Sequence, residues 1–260
     1  MKTIIAPIDF SDASTNALSF AAELAKRASA RLIAVTILEV GEDETNAKNK
    51  LKAIESDLKC ETLVARGDLI NSLVAVMEAQ HPDLIVMGTK GASGLKRILM
   101  GSNTVNVIAK TTVPFFVIPE AAKFEDFQLK GKNRVVLATD LEELENPDAL
   151  DTLKKIALLI VGPKVRILGV RPKNTQLDFN QSMERNVLLS IFKPEIEAER
   201  VTVFSSNVMS GINFYLNKNE DTGLIAMIAR DTGQLIQKHY TREMASHTRF
   251  PLLILHDAKI

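Results

Sequence analysis

The sequence has no tryptophan, two tyrosines and a single cysteine, Cys60. One thiol cannot close an intrachain disulfide or build a cysteine metal cluster, and Cys60 reads most simply as a small apolar residue at a strand start. With aromatics at only 5% of residues, the core must be aliphatic, which suits parallel sheets covered by helices. An excess of either charge is missing too, since 32 Lys plus Arg balance 32 Asp plus Glu. Nothing therefore marks nucleic acid or an anionic membrane as a partner. No apolar run approaches the roughly 20 residues that cross a bilayer. Met1-Lys2 leads directly into a short apolar run and Asp9, unlike a signal peptide. A soluble, cytoplasmic protein is expected. At 260 residues the chain exceeds the usual single-domain size, so two domains are expected.

Against these absences stands one distinctive stretch. Asp83 leads into the apolar run Leu84-Ile85-Val86-Met87, which stops at Gly88. A buried strand emptying into a loop is the reading. The loop holds Gly88, Gly91 and Gly94, and Gly101-Ser102 opens a segment with Val105, Ile108 and Ala109 at helical spacing. Glycines let main-chain N–H groups turn inward, and a helix start adds unpaired donors and partial positive charge. Ser102 can cap that helix or donate to a phosphate, while Lys90, Lys96 and Arg97 bring positive charge. The stretch reads as a nucleotide phosphate site; glycines serving turn geometry alone are the bland alternative. It contains no Walker A string. Nor does it sit in the first strand–helix turn, where a dinucleotide fingerprint belongs.

The order of elements supports that reading. Strands are expected at Thr3–Ile8, Arg31–Leu38, Thr62–Ala65, Leu84–Met87 and Thr112–Ile118, the last with Pro114 near its start. Between them run helical patterns: Ala17, Leu18, Ala21, Leu24 and Ala25; then Leu51, Ile54 and Leu58; then Ile70, Leu73, Val74 and Met77. Alternation of this kind indicates right-handed βαβ units and an open parallel sheet. Ligands bind such sheets at the carboxyl ends of strands, so Asp9 and Gly88 should face one crevice. Asp9 can accept hydrogen bonds from ribose or adenine there, or merely cap the helix beginning near Ser11.

The spacing Gly88, two residues, Gly91, nine residues, Gly101-Ser102 resembles the ATP-binding motif of the universal stress protein family. The flanking text DLIVMGTKGASGLKRILMGS and the opening APIDFSDASTNAL are similar to that family as well. The resemblance implies an adenine-nucleotide α-hydrolase-like, Rossmann-like fold. It also implies a site in which Pro7 and Asp9 line the nucleoside and main-chain groups near Ile37 meet the adenine edge. Met87, Gly88, Lys90 and Gly91, with Gly94, Gly101, Ser102 and Asn103, would hold the rest of the nucleotide. ATP, AMP or ADP is the implied ligand; a magnesium ion accompanying its phosphates is compatible with the site, though no residue announces itself as its ligand.

The remainder reads as a diverged copy. Residues 119–132, with Pro119 and Gly131, look like a linker between a domain at 1–119 and another at 132–260. Asn133–Thr139 repeats the opening strand and Asp140 takes the place of Asp9. Further strands are expected at Lys164–Val170, Arg200–Phe204, Leu224–Met227 and Phe250–Leu255, with helical spacing from Leu150 to Ile160. Self-similarity at one long period means duplication, here of two tandem α/β domains with mostly parallel five-stranded sheets. The copied motif is degenerate: Ile228-Ala229-Arg230-Asp231 replaces Gly88-Thr89-Lys90-Gly91, and Lys238-His239 replaces Gly101-Ser102. Side chains there should block a phosphate and Asp231 should repel one. The tandem family form, with one competent half, is what this resembles. His239 and His247 are expected to be solvated or core histidines, and residues 142–148 a solvated face and helix-start signal.

The expected function is a nucleotide-dependent stress-response regulator and not an enzyme, with nucleotide ordering residues 88–102 for a protein partner. An ATP hydrolase using Asp9 and Ser102, or a nucleotide-free interaction scaffold, are the alternatives. Family members pair through their last strands, which implies an intramolecular pseudo-dimer through 112–118 and 250–256 and allows further homodimers.

Overall fold

Most strands form where an aliphatic run is bounded by charge, glycine or proline, and the helices beside them bury one face against the sheet. The computed structural model describes residues 1–39, 41–89, 111–128, 133–146, 148–230, 240, 244 and 249–257, with 127 and 128 in backbone only. The chain divides into two compact units, Met1–Phe124 with Ala245–Arg249, and Glu125–Met244 with Phe250–Ile260.

The first unit runs β1 (Thr3–Pro7), α1 (Asp12–Ala28), β2 (Arg31–Leu38), α2 (Glu44–Leu58), β3 (Glu61–Arg66), α3 (Leu69–Gln80), β4 (Leu84–Thr89) and β5 (Phe115–Pro119). Its strands lie parallel in the order β3-β2-β1-β4-β5. The direction of travel reverses between β1 and β4, the switch point at which α/β sheets open a crevice. Asp83 pins the entry of β4, because its carboxylate accepts the Thr3 amide at 2.8 Å. Burial of Ala17, Leu18, Ala21, Leu24 and Ala25 on α1 matches the expected stripe. On α2 only Ala47 and Leu51 are buried, with Ile54 and Leu58 half-buried, as a mostly solvent-facing helix requires.

Two expectations need correction here. The fifth strand begins at Phe115, not Thr112. Pro114, which has no N–H for a ladder, stays outside and only accepts the Ile85 amide through its carbonyl, at 3.0 Å. The stretch 119–132 does hold the boundary between the two units, after Phe124, but it is not plain linker: residues Phe124–Gln128 form a 3₁₀ turn. Phe124 is buried edge-on against Phe20 at 5.1 Å, and Asn16 donates to the carbonyls of Pro119 and Ala122.

The second unit repeats the plan with β6 (Arg134–Ala138), α4 (Ala149–Ala157), β7 (Lys164–Arg171), α5 (Phe179–Phe192), β8 (Glu197–Phe204), α6 (Val208–Lys218), β9 (Thr222–Arg230) and β10 (Leu252–Asp257). Its parallel order β10-β9-β6-β7-β8 is that of the first unit, strand for strand. The expected helix to Ile160 ends at Ala157; tight turns from Ile156 and Ala157 carry on and still bury Ile160. No helix among the described residues is long and apolar enough to cross a membrane.

Candidate functional site

In the first unit the chain leaves β1 at Pro7, and Phe10 adopts a left-handed φ of 62° that turns it sharply into α1. Ser11 caps the helix by accepting the Ser14 amide. Asp9 is thus not the cap, and its carboxylate is bound within the turn: Oδ1 accepts the Ser11 hydroxyl at 2.6 Å and the Ser11 amide at 3.1 Å. Ser14, itself buried, accepts the Asp9 amide. Burial pushes the Asp9 carboxyl up, but the hydroxyls of Ser11 and Ser14 and the nearby amides outweigh it and hold Asp9 below its ordinary value. Asp9 is therefore an ionised acceptor at the carboxyl end of β1, half-buried and with no cation paired to it among the described residues.

Gly88 lies inside β4, buried, one residue before the strand ends. A Cβ there would stand 2.2 Å from the Ala13 carbonyl oxygen. The first turn of α1 can press its backbone onto β4 only because this position is bare. One helix N-terminus thereby touches both Asp9, through Ser11 and Ser14, and Gly88, through Ala13. Met87 is buried beside it, and Ile37 is half-buried near the end of β2, opposite Ala65. Lys90, Gly91, Gly94, Gly101, Ser102 and Asn103, like His239 and His247, lie outside the described residues.

Sequence reading overlooked Thr36, whose buried hydroxyl donates to the Ile8 carbonyl at 2.9 Å and fixes the exit of β1. A buried threonine amid the aliphatic β2 run was the available signal. A separate hollow of about 670 Å³, lined by Lys26, Arg31, Asp57 and Cys60, lies at the opposite ends of β2 and β3, away from the switch point. Burial pushes the Cys60 thiol up, so it is not an activated nucleophile.

The corresponding place in the second unit is filled. Asp140 follows β6, Leu141 takes the same left-handed turn at φ 63°, and Asp140 Oδ1 accepts the Glu142 amide at 3.1 Å. Among the described residues no helix starts there, and α4 begins at Ala149. Into the space comes Arg230, the last residue of β9, only 6% exposed. Its guanidinium donates to the carbonyls of Glu142 and Glu143 at 2.6 Å each and to Asp257 Oδ2 at 3.0 Å, with Asp140 3.5 Å away. Asp257 also accepts the Asn146 amide. The expected solvated face at 142–148 is found at Glu142, Glu143 and Glu145, whose side chains are exposed, and is corrected at Leu144, which is buried, while the main-chain carbonyls of Glu142 and Glu143 turn inward onto a buried cation. Glu184 of α5 is buried alongside; burial pushes its carboxyl up while Arg230 pulls it down.

A doubly repeated, parallel α/β sheet with a helix N-terminus at its switch point defines a tandem protein of the Rossmann-like class. The model of the Universal stress protein family matches residues 1–119. Universal stress protein MJ0531 of Methanocaldococcus jannaschii is 32% identical over 143 residues, 47% of this chain and 84% of that protein. Universal stress protein YxiE of Bacillus subtilis is 28% identical over 148 residues, 45% of this chain and 97% of its own. A universal stress protein structure from Archaeoglobus fulgidus shares the fold over 98% of both chains, with a TM-score of 0.74 at 18% identity. The chain belongs to the universal stress protein family, in its tandem form.

Proposed function

We propose that the first unit binds one adenine nucleotide, ATP or its hydrolysed forms, and that the chain is a nucleotide-dependent regulator of a stress response. The observation that carries this is the contrast at the two switch points. Beside β1 an ionised carboxylate and the bare Gly88 meet at a helix N-terminus; beside β6 Ile228 stands at the glycine position and the turn closes on Arg230. Asp9 supplies an acceptor for ribose or adenine donors. The glycines at 91, 94 and 101, with Lys90, Ser102 and Asn103, supply the phosphate end, as the family resemblance implies. Pro7, Met87 and the main chain at Ile37 complete the nucleoside side.

A binding role fits better than hydrolysis. A carboxylate held below its ordinary pKa by hydroxyl donors is a weak base for activating water. Among the described residues no set of three His, Cys, Asp or Glu side chains could hold a metal, so magnesium would arrive with the phosphates. A nucleotide that prefers one arrangement of the glycine segment shifts the population a partner protein meets. Equilibrium dialysis with labelled ATP tests the reading. One equivalent of tight binding is expected per chain, lost in Gly91→Val/Gly101→Val; brisk ATP turnover abolished by Asp9→Asn would instead favour the hydrolase.

A further inference from the structure

The outer strands of the second unit gather positive charge that its own carboxylates leave unmatched. In the β7–β8 ladder, Arg171 stands opposite Phe204 and Ile167 opposite Arg200. Partners in a parallel ladder share a face and side chains alternate along each strand, so Arg171, Arg200 and Phe204 project to one side. Val170, one residue earlier, points the other way: it packs against α6, where a Cβ on Gly211 would lie 2.4 Å from Val170 Cγ1. On the arginine face α5 crosses both strands and brings in Arg185.

The acids of β8 project from the other face with Val170, Glu197 engaged with Lys164 at 3.4 Å and Glu199 with Arg166. Among the described residues no carboxylate pairs with Arg171, Arg185 or Arg200. The Nε atoms of Arg171 and Arg185 are closed off from solvent without an acceptor. Burial, together with the charges of Arg200 and Arg171, pulls Arg185 below its ordinary value. Arg185 repelled by two other arginines, with unused buried donors on Arg171 and Arg185, is a standing cost that an anion would relieve. The Phe204 ring centroid lies 5.3 Å from the Arg171 guanidinium, a cation–π contact that favours this placement of the fork.

We propose that Arg171, Arg185 and Arg200 form an oxyanion site for a multiply charged phosphate group, such as the pyrophosphate end of a small phosphorylated molecule. Planar guanidinium forks match phosphate oxygens two at a time, and several converging forks select for high anionic charge. The site belongs to the second unit alone. By the shared register, its strand positions in the first unit carry Leu38, Thr62 and Arg66, and that arginine is already paired with Glu44. It is also separate from the switch point, which lies at β6 and β9.

Pyrophosphate is the probe, titrated into the full chain carrying Gly91→Val/Gly101→Val so that the glycine segment contributes nothing. Thermal unfolding and the arginine Nε–H NMR signals are followed together. The expected result is saturable binding of one pyrophosphate per chain, a rise in Tm, and shifts of the Arg171 and Arg185 Nε–H signals. Arg185→Gln/Arg200→Gln should raise the Tm of the free protein by relieving repulsion, yet weaken pyrophosphate by about tenfold or more, the scale of lost charge-assisted hydrogen bonds. That opposite movement separates lost recognition from lost folding. Pyrophosphate binding equally well to the double variant would overturn the proposal. So would a response no greater than chloride gives at matched ionic strength.

Discussion

At the end of β1 the chain passes through Asp9 and left-handed Phe10 directly into α1, whose Ala13 backbone rests on Gly88. At the end of β6 it passes through Asp140 and left-handed Leu141, with the same side-chain-to-amide bond two residues on. There the likeness ends. Ile228 stands where Gly88 would be, the helix begins only at Ala149, and Arg230 occupies the space with Asp257. The two differences belong together. A side chain at the strand end forbids the close helix, and a retreating helix leaves room that a buried ion pair fills. A duplicated fold can thus keep its turn chemistry while one copy seats a buried ion pair at the end of its central strand.

The largest expected effect breaks the filled copy. Arg230→Met should destabilise the protein by about 3–5 kcal/mol in urea unfolding, because it strands the buried Asp257 charge. Adding Asp257→Leu should recover most of that loss, and neither change should alter ATP binding to the first unit. Gly88→Ala comes next: its Cβ meets helix backbone that cannot swing away, at a cost of about 3 kcal/mol in the same assay. Ile228→Ala, in the copy where the helix has withdrawn, should instead cost about 1–2 kcal/mol, as a half-buried side chain lost without a clash.

Smaller effects come from the carboxylates. Asp9→Asn should weaken ATP about tenfold to a hundredfold by calorimetry, the worth of hydrogen bonds to a charged acceptor. The ionised form of Asp9 is favoured by folding, so its stabilising contribution is present above the unfolded value of 3.8 and is lost as pH falls through the lower folded value. Asp9→Asn should flatten that acid limb. Glu184 has the opposite sign: its folded value lies above 4.5, so the folded state keeps the proton longer. The stability this gives is full below 4.5 and declines as pH rises through the folded value. Glu184→Gln should remove that decline, measured as a smaller stability difference between about pH 4 and about pH 7.

The strands were legible because aliphatic runs between charge and glycine leave little choice, and Arg31–Leu38 is found as expected. Two helices escaped for identifiable reasons. On α5 the large apolar residues Phe179, Met183 and Val187 are exposed while Glu184 is buried, so apolar periodicity does not mark the packed face. On α6 a glycine interrupts the pattern, placed at Gly211 to admit Val170. At the site, the degeneracy of Ile228–Asp231 could be read from composition, but the destination of Arg230 could not. Its acceptors are the main-chain carbonyls of Glu142 and Glu143, which any residue would offer and no pattern announces. Gly88 shows the converse, a glycine that suggests ligand approach and also serves a helix.

Backbone amide NMR during ATP titration tests the central claim most directly. The amides of Asp9, Ile37 and Gly88 should shift together and saturate, while those of Asp140, Ile228 and Arg230 stay in place at the same concentrations. Saturable shifts at Asp140 and Arg230, or none at Asp9 and Gly88, would contradict it.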